Sequence, residues 1–122
     1  MDELVERLTA TVGIDKAVAE KAIGSILDFL QKEGPSEPVQ ALVNELPGAD
    51  ALIAAAGDSG GGLGGLMGGG LMALGSKLMG LGLGMSDIQS VARELFKFGR
   101  EKIGNERMDE IVSGTPGLSQ FA

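Results

Sequence analysis

Three carboxylates, Glu106, Asp109 and Glu110, lie close together, and three cations, Arg93, Lys97 and Arg100, precede them. Paired carboxylates do general acid–base work when a cleft keeps one protonated and the other ionised. Glu106 and Asp109 instead flank Arg107 at helical spacing with no apolar run to enclose them, so they read as a solvated helix face. The oxygen-ligand pattern of a calcium loop is missing too. The chain of 122 residues has no His, Cys, Trp or Tyr. That removes Ser–His and Cys–His nucleophile pairs, imidazole and thiolate zinc sites, and any disulfide. No catalytic residue, cofactor or metal is expected, and the chain does not read as an enzyme.

The cations hold together better. Arg93, Lys97 and Arg100 recur at i, i+4 and i+7, within about 60° of one another on a helix. Such a stripe could face phosphate or anionic lipid headgroups. Glu94 and Glu101 stand among them, so ordinary surface pairing is the simpler reading. Seventeen acids against ten bases give a net charge of −7, which disfavours a polyanion as partner of the whole surface. With no aromatic platform beside the stripe, no nucleic acid is expected.

Glycine is the outlier, 21 residues in all, 13 of them between 57 and 85. No GxxxxGK[ST] occurs, and Gly75-Ser76-Lys77 has the order reversed with no preceding strand, so a phosphate cradle is excluded. Gly60, Gly64 and Gly68 have the small-xxx-small spacing of packed membrane helices, as do Gly61, Gly65 and Gly69. Residues 59–76 carry no charge, yet nine of these 18 are glycine. Each glycine costs a helix about 1 kcal/mol relative to alanine. Residues 57–70 are therefore expected to be a flexible linker. Residues 71–83 differ, because Leu71, Met72, Leu74, Leu78, Met79 and Leu81 make a helix that is apolar nearly all round. Such a helix belongs in a core, against a partner or in lipid. These six residues are the candidate interaction surface, and the methionines 67, 72, 79 and 85 add adaptable side chains.

The elements that must position these residues are helical. Leu4, Val5, Leu8 and Val12 follow the 3.6-residue period, with Gly13 as a left-handed stop. Asp15 can cap a second helix carrying Val18, Ala22, Ile23, Ile26, Leu27 and Leu30, ended by Gly34-Pro35. Ser36 can cap a third, with Val39, Leu42, Val43 and Leu46 inward and Pro47-Gly48 as its stop. Asp50 to Ala56 reads as a short fourth. Ser86 with Gln89 resembles a capping box, opening a helix with Ile88, Val91, Ala92, Leu95, Phe96, Gly99 and Ile103 on one face. Asn105 can cap the last, which carries Met108, Ile111 and Val112. The expectation is one all-α domain over 1–122, a bundle of six to eight short helices, with helical units at 1–56 and 71–122.

At an offset of 69 the two units align. Ala22 meets Val91, Ile26 meets Leu95, Leu27 meets Phe96, Phe29 meets Phe98, Val39 meets Met108, Leu42 meets Ile111 and Val43 meets Val112. Upstream, Leu4 and Leu8 meet Leu74 and Leu78 at an offset of 70. The pattern reads as a degenerate duplication whose halves pair to complete one core, since a unit of some 50 residues is marginal alone.

The stretch Leu8 to Asp15 (LTATVGID), the helix Ala22 to Leu30, and Leu46 to Ile53 (LPGADALI) followed by a Gly/Leu run resemble an uncharacterised bacterial family, the VcgC/VcgE-like proteins of unknown function. That resemblance spans about residues 4–85 and implies a helical, non-enzymatic bacterial protein. Met1-Asp2-Glu3 is acidic where a secretory signal would be basic, so a cytoplasmic location is expected. The function expected is a non-catalytic interaction or self-association module acting on a protein partner or a second copy, such as a homodimer. Its alternative is an amphitropic protein that meets a membrane surface through 59–85.

Overall fold

A computed structural model describes residues 2–46, 48–54 and 70–115. The linker expected at 57–70 lies outside them except for Gly70, which opens a helix. Seven helices run along the described chain: α1 (Asp2–Thr11), α2 (Lys16–Glu33), α3 (Ser36–Glu45), α4 (49–54), α5 (Gly70–Gly80), α6 (Met85–Ile103) and α7 (Asn105–Gly114). No strand occurs among the described residues. The fold is a compact all-α bundle.

The two longest helices, α2 and α6, pack on each other, and α1, α3 and α5 each touch both of them. α7 lies on α6 and α3. The apolar stripes read from the 3.6-residue period are the ones that turn inward: Ala22, Ile23, Ile26, Leu27 and Leu30 from α2, and Ile88, Val91, Ala92, Leu95 and Phe96 from α6. All belong to one core cluster with Leu4 and Leu8 of α1, Leu42 of α3 and Ile111 of α7. A fully buried Leu or Ile contributes about 1.5–3 kcal/mol, so this cluster is the main source of stability.

Helix ends depart from the sequence reading in instructive ways. Gly13 does stop α1, with φ +82°, and Gly82 takes φ +96° just after α5, a region that disfavours a Cβ. Gly34 ends α2 differently, with φ −95°. Its constraint is space, since a Cβ there would stand 2.7 Å from the Thr115 hydroxyl and 2.8 Å from the Leu30 carbonyl. Ser36 does not cap α3; Pro35 holds the N-cap position with its fixed φ, leaving Ser36 as the first helical residue. Asn105 is likewise the first residue of α7, after Gly104. The box at the start of α6 is two residues earlier than Ser86 implies. Gly84 is the N-cap, and its N–H donates to the Asp87 carboxylate at 3.2 Å. Aspartate does there what glutamate does in the usual box, because both accept from the orphan N–H.

Two glycines mark where other helices crowd close to a helix backbone. A Cβ on Gly99 of α6 would lie 2.6 Å from Met108 Sδ and 3.1 Å from Leu42 Cδ1, which lets α3 and α7 close over α6. A Cβ on Gly24 of α2 would overlap the Leu52 carbonyl, so α4 rests directly on α2.

The two halves share their element bounds at an offset of 69. α3 and α7 coincide end to end, α2 ends one residue short of α6's counterpart, and Gly13 falls on Gly82. α1 packs on α6 as α5 packs on α2. Every one of the nine residue pairs aligned above is buried on both sides.

Candidate functional site

The apolar stripe of 71–83 divides by direction. Leu78 is 1% exposed and Leu74 8%, both within the core where α5 meets α2 and α6. Leu81 is half-buried against the same cluster. The side chains of Leu71 and Met72 lie outside the described set. Leu74 and Leu78 therefore do not form a free surface: their face of α5 is the one the bundle needs to close its core. Met79 points the other way and is 50% exposed. Met85, across the α5–α6 turn, is 58% exposed. These two are the exposed large hydrophobic side chains among the described residues.

The basic stripe also divides. Arg100 of α6 pairs with Asp109 of α7 at 3.1 Å, which ties one carboxylate of the sequence cluster to one cation of the stripe. Arg93 and Lys97 are exposed and make no ion pair among the described residues. The acids beside them act on Arg7, although Glu101 also feels the charge of Lys97. Arg7 of α1 donates to Glu101 through Nη1 at 2.9 Å and Nη2 at 3.4 Å, and Glu94 acts on Arg7 through its charge. Glu106 and Glu110 stay on the solvated face of α7, as their spacing implied.

No local pattern announces the Arg7–Glu101 pair, whose members are 94 residues apart. It is part of a clasp between α1 and α6. Arg7 also reaches Glu3 at 3.6 Å, and its guanidinium lies 5.4 Å from the centroid of the buried Phe98 ring. Lys102 sits 5.2 Å from the same ring. Two cations over one aromatic are held by the ring's negative face. The hydrogen bond from Arg7 holds the Glu101 carboxyl below its ordinary range, against the opposing effect of burial, with further help from the charges of Arg7, Lys97 and Lys102. A carboxyl lowered in the folded state stabilises the fold above its unfolded pKa, and that contribution is lost as pH falls through the folded value. Glu101→Gln should therefore lower the melting temperature slightly at neutral pH and leave it nearly unchanged at acid pH, which flattens the acid side of the profile. Melting curves from neutral to acid pH, for both proteins, check this; parallel profiles would mean the clasp is not formed.

An open depression of about 550 Å³ lies where the start of α3 meets the end of α7, lined by Pro35, Ser36, Glu37, Pro38, Glu110, Ser113 and Gly114. Its two carboxylates and two serines are all exposed, so the depression does not shield any of them from water. Among the described residues no group of three acids is placed to hold a metal ion. No helix among them is long and apolar enough to cross a membrane. Of the segment 59–85 expected to meet lipid, residues 59–69 lie outside the described set. No family model, no curated protein and no solved structure matches this chain. The resemblance to the VcgC/VcgE-like family thus rests on residue pattern alone.

Proposed function

We propose that the chain is a non-catalytic helical interaction module, which engages a protein partner or a second copy through the corner where α5 turns into α6. The observation that carries this reading is the placement of Met79 and Met85. The leucines of the same stretch are drawn into the core, while these two flexible thioethers remain in water on either side of one turn. Methionine suits such a surface because three rotatable bonds let it adapt to a partner. Between them Gly80, Gly82 and Gly84 are exposed, while Leu83 is buried and Leu81 half-buried, so no other large side chain stands out of the turn. The shared helix bounds and buried positions of the two halves support a second part of the reading, that the chain is a degenerate duplication.

The double variant Met79→Lys, Met85→Lys tests the corner. Both side chains are exposed, so its unfolding free energy should stay within about 0.5 kcal/mol of the parent. Self-association, read by sedimentation velocity, should be lost. So should photo-crosslinks to a mass-spectrometrically identified partner from a probe placed at position 85. Crosslinking as strong from exposed Lys21 of α2, or association unaffected by the double variant, would overturn the reading.

A further inference from the structure

The two halves differ on one face. On α2, α4 rests against Gly24, and Glu20 and Asp28, one turn to either side, are half-buried. Their counterparts 69 residues on are Arg93, Gln89 and Lys97 of α6, and all three are exposed. Residues four apart share a helix face, so Met85, Gln89, Arg93 and Lys97 form one open stripe, apolar at its start and basic at its end. From Met85 to Lys97 it runs about 18 Å, at 1.5 Å per residue.

We propose that this stripe takes an acidic amphipathic helix of a partner protein, laid over α6 in the place that α4 occupies on α2. The proposal rests on the reading of the Met79/Met85 corner as an interaction surface, and names what binds there. An apolar side chain of the incoming helix seats on Met85, and carboxylates two and three turns along meet Arg93 and Lys97. Arginine in place of glycine at 93 keeps the partner at side-chain distance, where charge pairing replaces the backbone contact seen at Gly24. A second copy fits poorly. The acid next in line, Glu101, is already held by Arg7, so a two-fold pairing of the stripe with itself, parallel or antiparallel, sets its cations against cations or against Met85. An anionic bilayer fits poorly as well: a plane spreads past the stripe over the acids of a chain with net charge −7, whereas a single helix covers the stripe alone.

The test uses the full chain and a fluorescein-labelled synthetic helix with leucine and glutamate along one face, alongside a twin with lysine for every glutamate. Fluorescence anisotropy should show binding of the acidic helix, weakening as salt is raised, and no binding of the lysine twin. Arg93→Glu with Lys97→Glu should weaken binding by roughly tenfold or more with only a small shift in melting temperature, because both residues are exposed rim charges and Lys97 acts on Glu101 only through its charge. Absent binding, equal binding of the twin, or binding indifferent to the charge reversal overturns the proposal. So does flotation with phosphatidylglycerol vesicles, or a dimer in sedimentation, that the same reversal abolishes, for either would give the stripe to lipid or to a second copy. The corner and the stripe fail separately. Charge reversal without effect, beside loss on changing Met79 and Met85, leaves the corner standing alone. The opposite pattern removes the corner.

Discussion

Leu78→Asp abolishes cooperative folding at neutral pH. Leu78 is 1% exposed, in the cluster where α5 closes against α2 and α6. Removing the leucine side chain alone costs about 2–5 kcal/mol, as Leu78→Ala should show by urea denaturation followed by circular dichroism. A carboxylate in its place adds a desolvation penalty of several kcal/mol with no cation to offset it. Together these approach or exceed the roughly 5–15 kcal/mol that separates a native domain from its unfolded chain. Helical signal at neutral pH should fall steeply, and lowering the pH should restore part of it, because burial favours the protonated carboxyl. Loss of a dimer in this variant would report unfolding and not an interface. A sharp melting transition in Leu78→Asp close to the parent's would place α5 outside the core and return the whole 71–83 stripe to the surface.

The same leucine shows how far the sequence can be read. Periodicity identifies the helices because each buries one stripe, and Ile26, Leu27, Leu95 and Phe96 sit at the spacing that a single inward face demands. Over 71–83 the apolar residues are too dense for periodicity to choose a face. Only the positions of α2 and α6 decide that Leu78 points in and Met79 out. Caps slip for a local reason: Ser36, Ser86 and Asn105 are good capping types, but the residue before Ser36 is a proline, the turn before Ser86 ends in a glycine, and Asn105 follows one. Those neighbours take the non-helical conformation first. Long-range pairs leave no trace at all. Nothing near Arg7 points to Glu101, and nothing near Gly24 points to Leu52. The stripe of three cations was legible as a spacing, whereas its division, with Arg100 drawn to Asp109 and Arg93 and Lys97 left open, depends on where α7 lies.

Gly24→Val should destabilise the protein by about 2–4 kcal/mol, the overpacking outweighing valine's better helix propensity. The Cβ would meet the Leu52 carbonyl carbon at 2.8 Å, and beyond it the Leu52 Cβ at 3.2 Å. Backbone cannot step aside as a methionine tip can at Gly99, so α4 has to lift from α2. Leu52 and Ile53, half-buried against the core, and the buried Ala49 then lose their contacts. Urea unfolding gives the magnitude, and hydrogen exchange gives the location, with amides of 49–54 exchanging faster while those of α6 and α7 keep their protection relative to global unfolding. The variant matters beyond stability because α4 on α2 is the template for a helix on α6. Should Gly24→Val be as stable as the parent with 49–54 equally protected, α4 does not depend on that contact. The difference between Gly24 and Arg93 would then say nothing about what the open face of α6 receives.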